Sequence, residues 1–387
     1  MATEVRPDDL ALRSGRRERA LAQMHAHDLD VLVLGRTANV RYVTGATTLW
    51  LAGTLPFGPS CILVRSTGAI HLLSTWDEGI PDDIPRANLF GLTWNPMNTV
   101  TVLQGIAGAE GARRVGTDAM SPIFAQLLPI AFPAAELVDG EVAMRAARRI
   151  KTAQELAVLR QAVAVAETSL AKAVAQLRPG ATEKELAGVL LEAAAAGGAT
   201  TPAVQDAAVV TSRDHPWRRA GGDGRAAAGD LVAFTAGVVA HGYIAEVGRT
   251  YAVGGTGPAR TGPAATGPAG NGPAELAQRC DRVWNRLLAA CRPGAPASDL
   301  LDAYTGAGEP LPPMPVARGL GLGFDPPVVT GGLPRTAREE RIEAGMVLAL
   351  TGYVWQAGTG AAFRRDTVLV TADGPELLTS APGVPIG

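Results

Sequence analysis

Lysine, cysteine and aromatic residues are scarce in this sequence of 387 residues. All of its 35 basic residues except Lys151, Lys172 and Lys184 are arginines, which indicates a coding bias and makes a single arginine weak support for any function. The three cysteines lack Cys-x-x-Cys spacing, so neither a disulfide framework nor a zinc knuckle is expected.

Long apolar runs and an excess of one charge are absent too. No run of about 18 apolar residues exists that would span a bilayer, and residues 1–7 lack the apolar core of a secretion signal. A net charge of −2 does not favour a nucleic-acid partner, which would need a strongly basic surface. With 47% hydrophobic residues, the chain is expected to be a cytoplasmic globular protein with room for two cores.

Helix and strand patterns alternate in the first part of the chain. Apolar residues recur at helical spacing in one segment, and short apolar runs bounded by turn residues follow. The predicted segments are a helix over residues 10–26 and strands over 29–34, 61–64, 69–73 and 114–118. This alternation predicts a small α/β domain with a mixed sheet over residues 1–146.

A second domain is predicted over residues 147–387. Thr152 with Glu155, and Thr182 with Glu185, have the spacing of capping boxes at the starts of two helices. The further predicted segments are strands over residues 207–211, 231–235 and 243–253, a helix over 275–291, and a hairpin of 346–355 with 367–371. A Gly-Pro-Ala triplet recurs every five residues between residues 254 and 274, which does not match the collagen period and predicts a flexible surface insertion.

Short motifs in the second half of the chain resemble those of one family. They are residues 229–237, 242–251, 318–322, 343–347 and 365–370. Their order resembles the creatinase/aminopeptidase P/methionine aminopeptidase family, the pita-bread hydrolases, and residues 39–45 resemble the N-terminal domain of creatinases. The resemblance implies an α/β creatinase-like N-terminal domain and an α+β pita-bread C-terminal domain, whose curved antiparallel sheet lies under paired helices.

The ligand positions of the family are changed in this chain. In metal-dependent members, two aspartates, one histidine and two glutamates hold two divalent cations. The corresponding positions here are Thr235, Glu246, Arg318, Thr351 and Arg365. A guanidinium keeps its proton and repels a cation, so this set does not suit a di-metal site. No metal and no other cofactor is expected, and a metallopeptidase with shifted ligands is the less favoured alternative.

Arg318 and Arg365 are implied by the resemblance to face one central cavity together with Glu246. Two unpaired buried cations would each cost several kcal/mol, so both arginines need anions. Glu246 satisfies one, and the other is left to bind a ligand carboxylate or phosphate through its planar fork. The alternative is an internal salt-bridge cluster that only replaces the metals as a scaffold. Asp366 follows Arg365 directly and is expected on the opposite face of the strand.

His215 lies on the loop where creatinases carry a histidine that shuttles protons during metal-free C–N hydrolysis. An imidazole titrates near working pH, which suits general acid–base catalysis. The two glutamates with which creatinase binds a guanidinium correspond to Gly248 and Thr351, so a creatine-like cation is a poor candidate substrate. A solvated or packed histidine is the alternative, and exposure is also the expectation for His241 at a predicted hairpin tip.

Other candidate ligand contacts surround the arginines. They are Thr235, Thr351, Tyr243, Tyr353 and Asp325. The threonines can hydrogen-bond a substrate or a water, but no activating base is evident, so neither is expected to be a nucleophile. Asp325 lies near the position of a second, substrate-facing histidine in the family. Tyr243 and Tyr353 are candidates for the cavity wall, although packing in the core explains them as well.

Two functions remain open at this point. The first is a metal-independent enzyme that acts on a small carboxylate-bearing molecule by C–N hydrolysis, elimination or rearrangement. In it Arg318 and Arg365 hold the anion, His215 moves protons, and Glu246 either orients an arginine or acts as a base. The second is a catalytically inactive relative that serves as a binding or scaffold protein. The resemblance also implies a homodimer in which each N-terminal domain covers the partner's cavity, with Trp50 at the mouth.

Overall fold

The protein is described by a computed structural model that covers residues 10–46, 59–74, 77–91, 95–118, 121–204, 207–216, 224–254, 272–332, 334 and 338–380. Trp50 and most of the predicted insertion, residues 255–271, lie outside these described residues. The chain forms two compact units, Met1–Glu155 and Leu156–Gly387. Each unit has its own sheet.

The N-terminal unit contains the predicted mixed sheet. Its helices are α1 (Leu10–Ala26), α2 (Thr37–Thr44), α3 (Pro96–Gln104), α4 (Pro122–Ala131) and α5 (Glu141–Arg149), with a 3-10 helix at Arg86–Asn88; its strands are β1 (Val31–Leu34), β2 (Cys61–Val64), β3 (Ile70–Leu73), β4 (Leu89–Phe90), β5 (Arg114–Thr117) and β6 (Glu136–Asp139). The strand order is β4-β3-β2-β1-β5-β6. Strand β1 pairs antiparallel with β2 and parallel with β5, so the mixed sheet is confirmed.

Helix α2 is fixed to α5 by buried polar contacts. The Tyr42 hydroxyl donates to the carbonyl oxygen of Ala147 (2.8 Å), and the Asn39 amide donates to Glu141 (2.6 Å). Glu141 also accepts from Arg148 at 3.1 Å. Burial alone would raise the pKa of Glu141, but Arg148, the Asn39 amide and Arg36 together hold that pKa below its usual value.

The C-terminal unit begins within the first of two helices whose capping boxes are confirmed. Its helices are α6 (Ala153–Val174), α7 (Glu183–Ala196), α8 (Pro273–Ala290) and α9 (Ser298–Thr305). The backbone N–H of Thr152 donates to the Glu155 carboxylate (2.9 Å), and the backbone N–H of Glu155 donates to the Thr152 hydroxyl (3.1 Å). Thr182 and Glu185 repeat the arrangement at 2.8 and 3.2 Å, which satisfies N–H groups that a helix start leaves without partners.

A large antiparallel sheet follows these helices. Its strands are β7 (Ala199–Pro202), β8 (Ala208–Val210), β9 (Leu231–Ala240), β10 (Tyr243–Ala252), β11 (Ala317–Leu320), β12 (Phe324–Val329), β13 (Val347–Gln356), β14 (Gly360–Thr371) and β15 (Gly374–Leu377). The main path runs β12-β11-β13-β14-β10-β9-β7, with β15 on β14 and β8 on β9. Strands β9 and β10 form a hairpin with a two-residue turn, His241-Gly242, in which both φ angles are positive. The predicted position of His241 at a hairpin tip is confirmed.

Helices cover one face of this sheet. Helix α8 buries side chains at helical spacing, among them Cys280, Val283, Trp284 and Leu287, against β13 and β14. Helices α6 and α7 share a second apolar cluster with β8, β9 and β10. Thr235, Glu246, Arg318, Thr351 and Arg365 lie on the other face. Among the described helices, none combines the length and the hydropathy of a bilayer-crossing segment.

Candidate functional site

One row of residues crosses four neighbouring strands. Thr235 on β9 is paired with Gly248 on β10, Gly248 with Arg365 on β14, and Arg365 with Thr351 on β13. Residues paired in register point to the same face of a sheet, and residues two apart on one strand share that face. The row and its same-face neighbours, which include Glu246, are called the site face below. The register therefore brings together four of the five positions expected to meet.

The fifth position, Arg318 on β11, joins the others through Glu246. Its Nη2 donates to Glu246 Oε1, and its Nε donates to Oε2 at 3.3 Å. The second arginine, Arg365, places Nη1 3.4 Å from the same Oε2. The Glu246 side chain is completely buried, whereas the side chains of Arg318 and Arg365 are 19% and 9% exposed. The structure thus contains an Arg318–Glu246–Arg365 cluster, whose three charges sum to +1.

Arg365 is the more constrained of the two arginines. Its Nε donates to the Thr351 hydroxyl at 2.9 Å, so this threonine orients the guanidinium. Burial lowers the pKa of Arg365, and the neighbouring positive charge of Arg318 lowers it further, while Glu246 opposes both effects. A second anion beside Arg365 would favour the charged guanidinium and so raise this pKa again.

Each arginine of the cluster keeps one amino group for another partner. Arg318 Nη1 and Arg365 Nη2 make no hydrogen bond with any residue that the structure describes. Neither nitrogen is among the fully buried unsatisfied atoms recorded for the described residues. Within that part of the chain, the cluster therefore presents two donor groups without a partner next to a surplus positive charge.

Aromatic rings flank both guanidinium groups. Arg318 Cζ lies over the Phe324 ring, 4.2 Å from its centroid, and Arg365 Cζ lies 5.2 Å from the centroid of Phe363. Phe324 is 45% exposed, although it is a large apolar residue, whereas Phe363 is buried. A Cβ atom on Gly248 would collide with the Phe363 ring, so glycine is required there by the close approach of that ring. Sequence reasoning missed both phenylalanines.

A second charged network lies on the helix-covered face, behind the cluster. Asp366 accepts from Arg249 at 2.5 Å and from Arg364 at 2.8 Å, and the Arg249 and Asp366 side chains are fully buried. Arg249 Nη1 also donates to the carbonyl oxygens of Gly248 (2.7 Å) and Arg365 (2.8 Å). The predicted placement of Asp366 on the opposite face from Arg365 is confirmed. This network fixes the backbone of β10 and β14, the strands that carry Glu246 and Arg365.

The structure places Tyr243 away from the cluster. It is fully buried at the start of β10, three residues before Glu246, and the unbroken register puts it on the helix-covered face. The proposed contact of Tyr243 with a substrate is therefore corrected: a strand alternates its side chains, and an odd spacing from Glu246 sends this ring into the core.

Tyr353 lies on β13 and Asp325 lies on β12. Tyr353 is two residues from Thr351 on the site face, and its hydroxyl donates to the carbonyl oxygen of Pro216 (2.6 Å). Burial raises the pKa of Tyr353 to about 12, so this phenol stays protonated near neutral pH. Asp325 is 1% exposed on β12 and pairs in register with Gly319, which pairs with Leu348 on β13, so the register puts Asp325 on the helix-covered face. The expected contact of Asp325 with a ligand is therefore corrected.

His215 lies at the edge of the site face. The carbonyl oxygens of Ser212 and Pro216 accept hydrogen bonds from Trp355 (2.8 Å) and Tyr353 (2.6 Å), which ties the loop of His215 to β13. The imidazole is exposed, and within the described residues no hydrogen bond or ion pair joins it to the arginine cluster. The structure thus brings the histidine loop, but not its imidazole, into contact with site-face side chains.

The residues present do not fit a pair of catalytic metal ions. Of the five expected ligand positions only Glu246 supplies a carboxylate, and guanidinium donors occupy both of its oxygens. The donors that divalent cations prefer, carboxylates and neutral imidazoles, are replaced by hydroxyls and permanent cations. Across the described ranges there is also no group of three or more His, Cys, Asp or Glu side chains arranged to hold a metal ion elsewhere.

Comparisons with known proteins agree with this architecture. The prolidase from Pyrococcus horikoshii OT3 and the Xaa-Pro dipeptidase from Bacillus anthracis are each 18% identical to this chain with a TM-score of 0.74, over 96% and 97% of this chain and 99% of each of theirs. The dipeptidase PepE from Mycobacterium ulcerans is 22% identical over 98% of each chain, with a TM-score of 0.71. At such identities the likeness shows the fold, and the expected creatinase-like and pita-bread domains are confirmed. No curated protein matches the sequence.

Two family models match the sequence in the expected order. The creatinase/prolidase N-terminal domain matches residues 16–150, and metallopeptidase family M24 matches residues 157–372. The second match covers more than half of the chain. The chain therefore belongs to metallopeptidase family M24, and its M24 domain follows a creatinase/prolidase N-terminal domain.

Proposed function

We propose that this family member binds a small carboxylate-bearing molecule at the Arg318–Glu246–Arg365 cluster and hydrolyses a C–N bond in it without a catalytic metal. The observation that carries the proposal is the shared carboxylate: two guanidinium groups meet one glutamate, which leaves a charge of +1. An anionic ligand neutralises this charge. It also engages the two unused amino groups in charge-assisted hydrogen bonds, which are about twice as strong as neutral ones.

The surroundings of the cluster favour an anion over a cation. A glutamate at position 248, which would bind a cationic substrate, has no room, because the Phe363 ring fills the space above Gly248. The other position of this kind, Thr351, is a neutral hydroxyl that already accepts from Arg365. Thr235, in the same row, offers one more hydroxyl for a ligand oxygen.

His215 is the proposed proton shuttle. In this proposal the imidazole accepts a proton from the attacking water and returns it to the leaving nitrogen, while the arginines hold the carboxylate in place. Glu246 then orients the arginines and is not the base, because guanidinium donors occupy both of its oxygens. The attachment of the His215 loop to Tyr353 and Trp355 supports a position beside the bound ligand.

A second candidate function is a non-catalytic binding or scaffold protein. The exposed imidazole of His215, which makes no hydrogen bond with the cluster in the described part of the chain, favours this alternative. A binding protein also requires the anion site and differs from the enzyme only in turnover, whereas a scaffold whose arginines only pair with Glu246 requires no ligand.

The anion site is tested by the binding of acetate and of inorganic phosphate to the full chain, measured by calorimetry. R318M and R365M should each abolish acetate binding, because a methionine keeps much of the side-chain volume and removes the charge. R364M is the matched control: Arg364 neighbours Arg365 on β14 but points to the helix-covered face, where it contacts Asp366. Acetate affinity that survives in both R318M and R365M would end the proposal, and stronger binding of phosphate than acetate would change the ligand class.

Turnover is tested with a panel of N-acyl and N-amidino amino acids, by the release of amine. H215A should lose turnover and keep acetate binding, whereas H241A, altered at the hairpin tip, should keep both. Full activity of H215A would exclude His215 as the shuttle. Acetate binding by a wild-type chain that turns over no panel member would favour the binding protein.

A homodimer is also proposed, in line with the family resemblance. Gel filtration with light scattering tests it directly, since a mass of 39.8 kDa would correspond to one chain.

A further inference from the structure

We infer that the carboxylate bound by this cluster is conjugated to a planar apolar group, such as an aryl ring, and that Phe324 is the residue that selects it. This inference rests on the proposed function, because it names the substrate class of the same anion site.

The first observation is the position of Phe324 at the open side of the cluster. Arg318 is held between two partners: Glu246 bonds the edge of the guanidinium, and the Phe324 ring lies against its face at 4.2 Å. A stacked guanidinium keeps the N–H groups of its edge free for hydrogen bonds. The ring therefore leaves Nη1 of Arg318 available to a ligand.

The second observation is the exposure of that ring. Phe324 is 45% exposed, so the guanidinium covers only part of its surface. The apolar remainder borders the place where an anion meets Nη1. A ligand that extends over it removes apolar area from water, which is favourable in proportion to that area.

The geometry of the ion pair sets the shape of the ligand. A carboxylate that accepts from an arginine fork lies close to the plane of the guanidinium. The atoms attached to it then pass close to the Phe324 ring, whose centroid lies 4.2 Å from the guanidinium carbon. An aryl group coplanar with its carboxylate continues in that plane and meets the ring in an offset stack. A bulky substituent with a tetrahedral carbon leaves the plane of the carboxylate, projects towards the Phe324 ring and does not fit beside it.

Phe363 is the aromatic neighbour of the second arginine of the cluster. Its ring lies 5.2 Å from Arg365 Cζ and is buried above Gly248. A ligand anion held by both arginines thus meets two guanidinium groups that each have an aromatic neighbour. This arrangement favours a flat, weakly hydrated anion over small, strongly hydrated ones.

Calorimetry with three probes tests the inference: benzoate, cyclohexanecarboxylate and acetate, which share the carboxylate and differ in the attached group. Wild type should bind benzoate more tightly than cyclohexanecarboxylate. F324L keeps an apolar side chain but loses the aromatic face, so its benzoate affinity should fall about three- to ten-fold more than its acetate affinity does. The exposed position of Phe324 makes F324L compatible with folding, which circular dichroism checks.

The outcomes separate the inference from the function on which it rests. If F324L binds benzoate as wild type does, or if wild type prefers cyclohexanecarboxylate, the aryl preference is wrong, while loss of acetate binding in R365M still supports the anion site. If wild type binds none of the probes, or R318M and R365M bind all of them unchanged, the anion site itself is wrong and the inference fails with it.

Discussion

The replacement of Glu246 by glutamine isolates the charge that the cluster depends on. Glutamine keeps the shape of the side chain and one carbonyl oxygen, but it removes the negative charge that Arg318 and Arg365 share. One of its amide N–H groups would also face a guanidinium donor. The local charge rises from +1 to +2 at a side chain that is fully buried.

The cost follows from the burial of each partner. Removing one member of a buried ion pair typically costs about 3–5 kcal/mol, because the remaining charge stays desolvated. Arg318 is 19% exposed and regains some hydration, whereas Arg365 at 9% regains little. The lower end of that range, about 3 kcal/mol, is expected for E246Q. For a unit of this size such a loss lowers the melting temperature by about 6–12 °C.

The same substitution should strengthen anion binding. A ligand carboxylate about 7 Å from Glu246 is repelled by roughly 2 kcal/mol at an effective dielectric constant near 20, so E246Q should bind benzoate about 30-fold more tightly. Saturating benzoate then restores part of the lost stability, since a ligand that binds only the folded state stabilises it. Urea unfolding followed by tryptophan fluorescence, with and without benzoate, measures both effects.

The matched control is E309Q. Glu309 is also buried and accepts two hydrogen bonds of 2.7 Å from Arg279, but it is not part of the cluster. Its replacement should cost stability that benzoate does not restore. A loss below about 1 kcal/mol in E246Q would refute the buried-charge argument. An equal response of E246Q and E309Q to benzoate would refute the link to ligand binding.

Three further outcomes are expected. Treatment with EDTA should leave the melting temperature unchanged, because fixed side-chain charges hold the cluster together, and a fall of several degrees would contradict this. R249M should lose about 3–5 kcal/mol in urea unfolding, since Arg249 and Asp366 are both fully buried; a loss below about 1 kcal/mol would show that the network behind the cluster is dispensable. E141Q should be less stable than wild type at neutral pH. Because the pKa of Glu141 is lowered in the folded state, its carboxylate contributes stability above the ordinary pKa of 4.5, and this contribution is lost as the pH falls through the folded-state pKa. The stability difference between E141Q and wild type should therefore vanish in acid. Thermal melts across that pH range check this.

Much of the fold was accessible to sequence reasoning because local signals and the family motifs agreed. The capping boxes at Thr152 and Thr182 mark helix starts, and both form in the structure. The final hairpin was placed correctly, but β14 was predicted only from residue 367, whereas it begins at Gly360. Arg364, Arg365 and Asp366 interrupt the apolar pattern that marks a strand, and their charges are balanced only by partners on other strands.

The late predicted start of β14 also explains why Phe363 was missed at the site. Phe363 lies two residues before Arg365, so the alternation of a strand that included it would have placed its ring beside the guanidinium. Phe324 gave no such signal, because its contact with Arg318 depends on a register irregularity between β11 and β12 that local sequence does not reveal. The error at Tyr243 has the opposite cause: its spacing from Glu246 was available and predicted the helix-covered face.

The exchange of metal ligands for arginines also determines what else catalysis requires. A bound divalent cation supplies positive charge and also lowers the pKa of its water, so that it generates its own hydroxide. A guanidinium supplies the charge but coordinates no water, and in proteins it does not give up its own proton. Hydrolysis at the Arg318–Glu246–Arg365 cluster therefore needs a separate group to take the proton of water. Glu246 is occupied by both arginines, and burial keeps Tyr353 protonated. Among the described residues, His215 is the proton acceptor that the proposal assigns, so the H215A experiment also tests catalysis by this cluster.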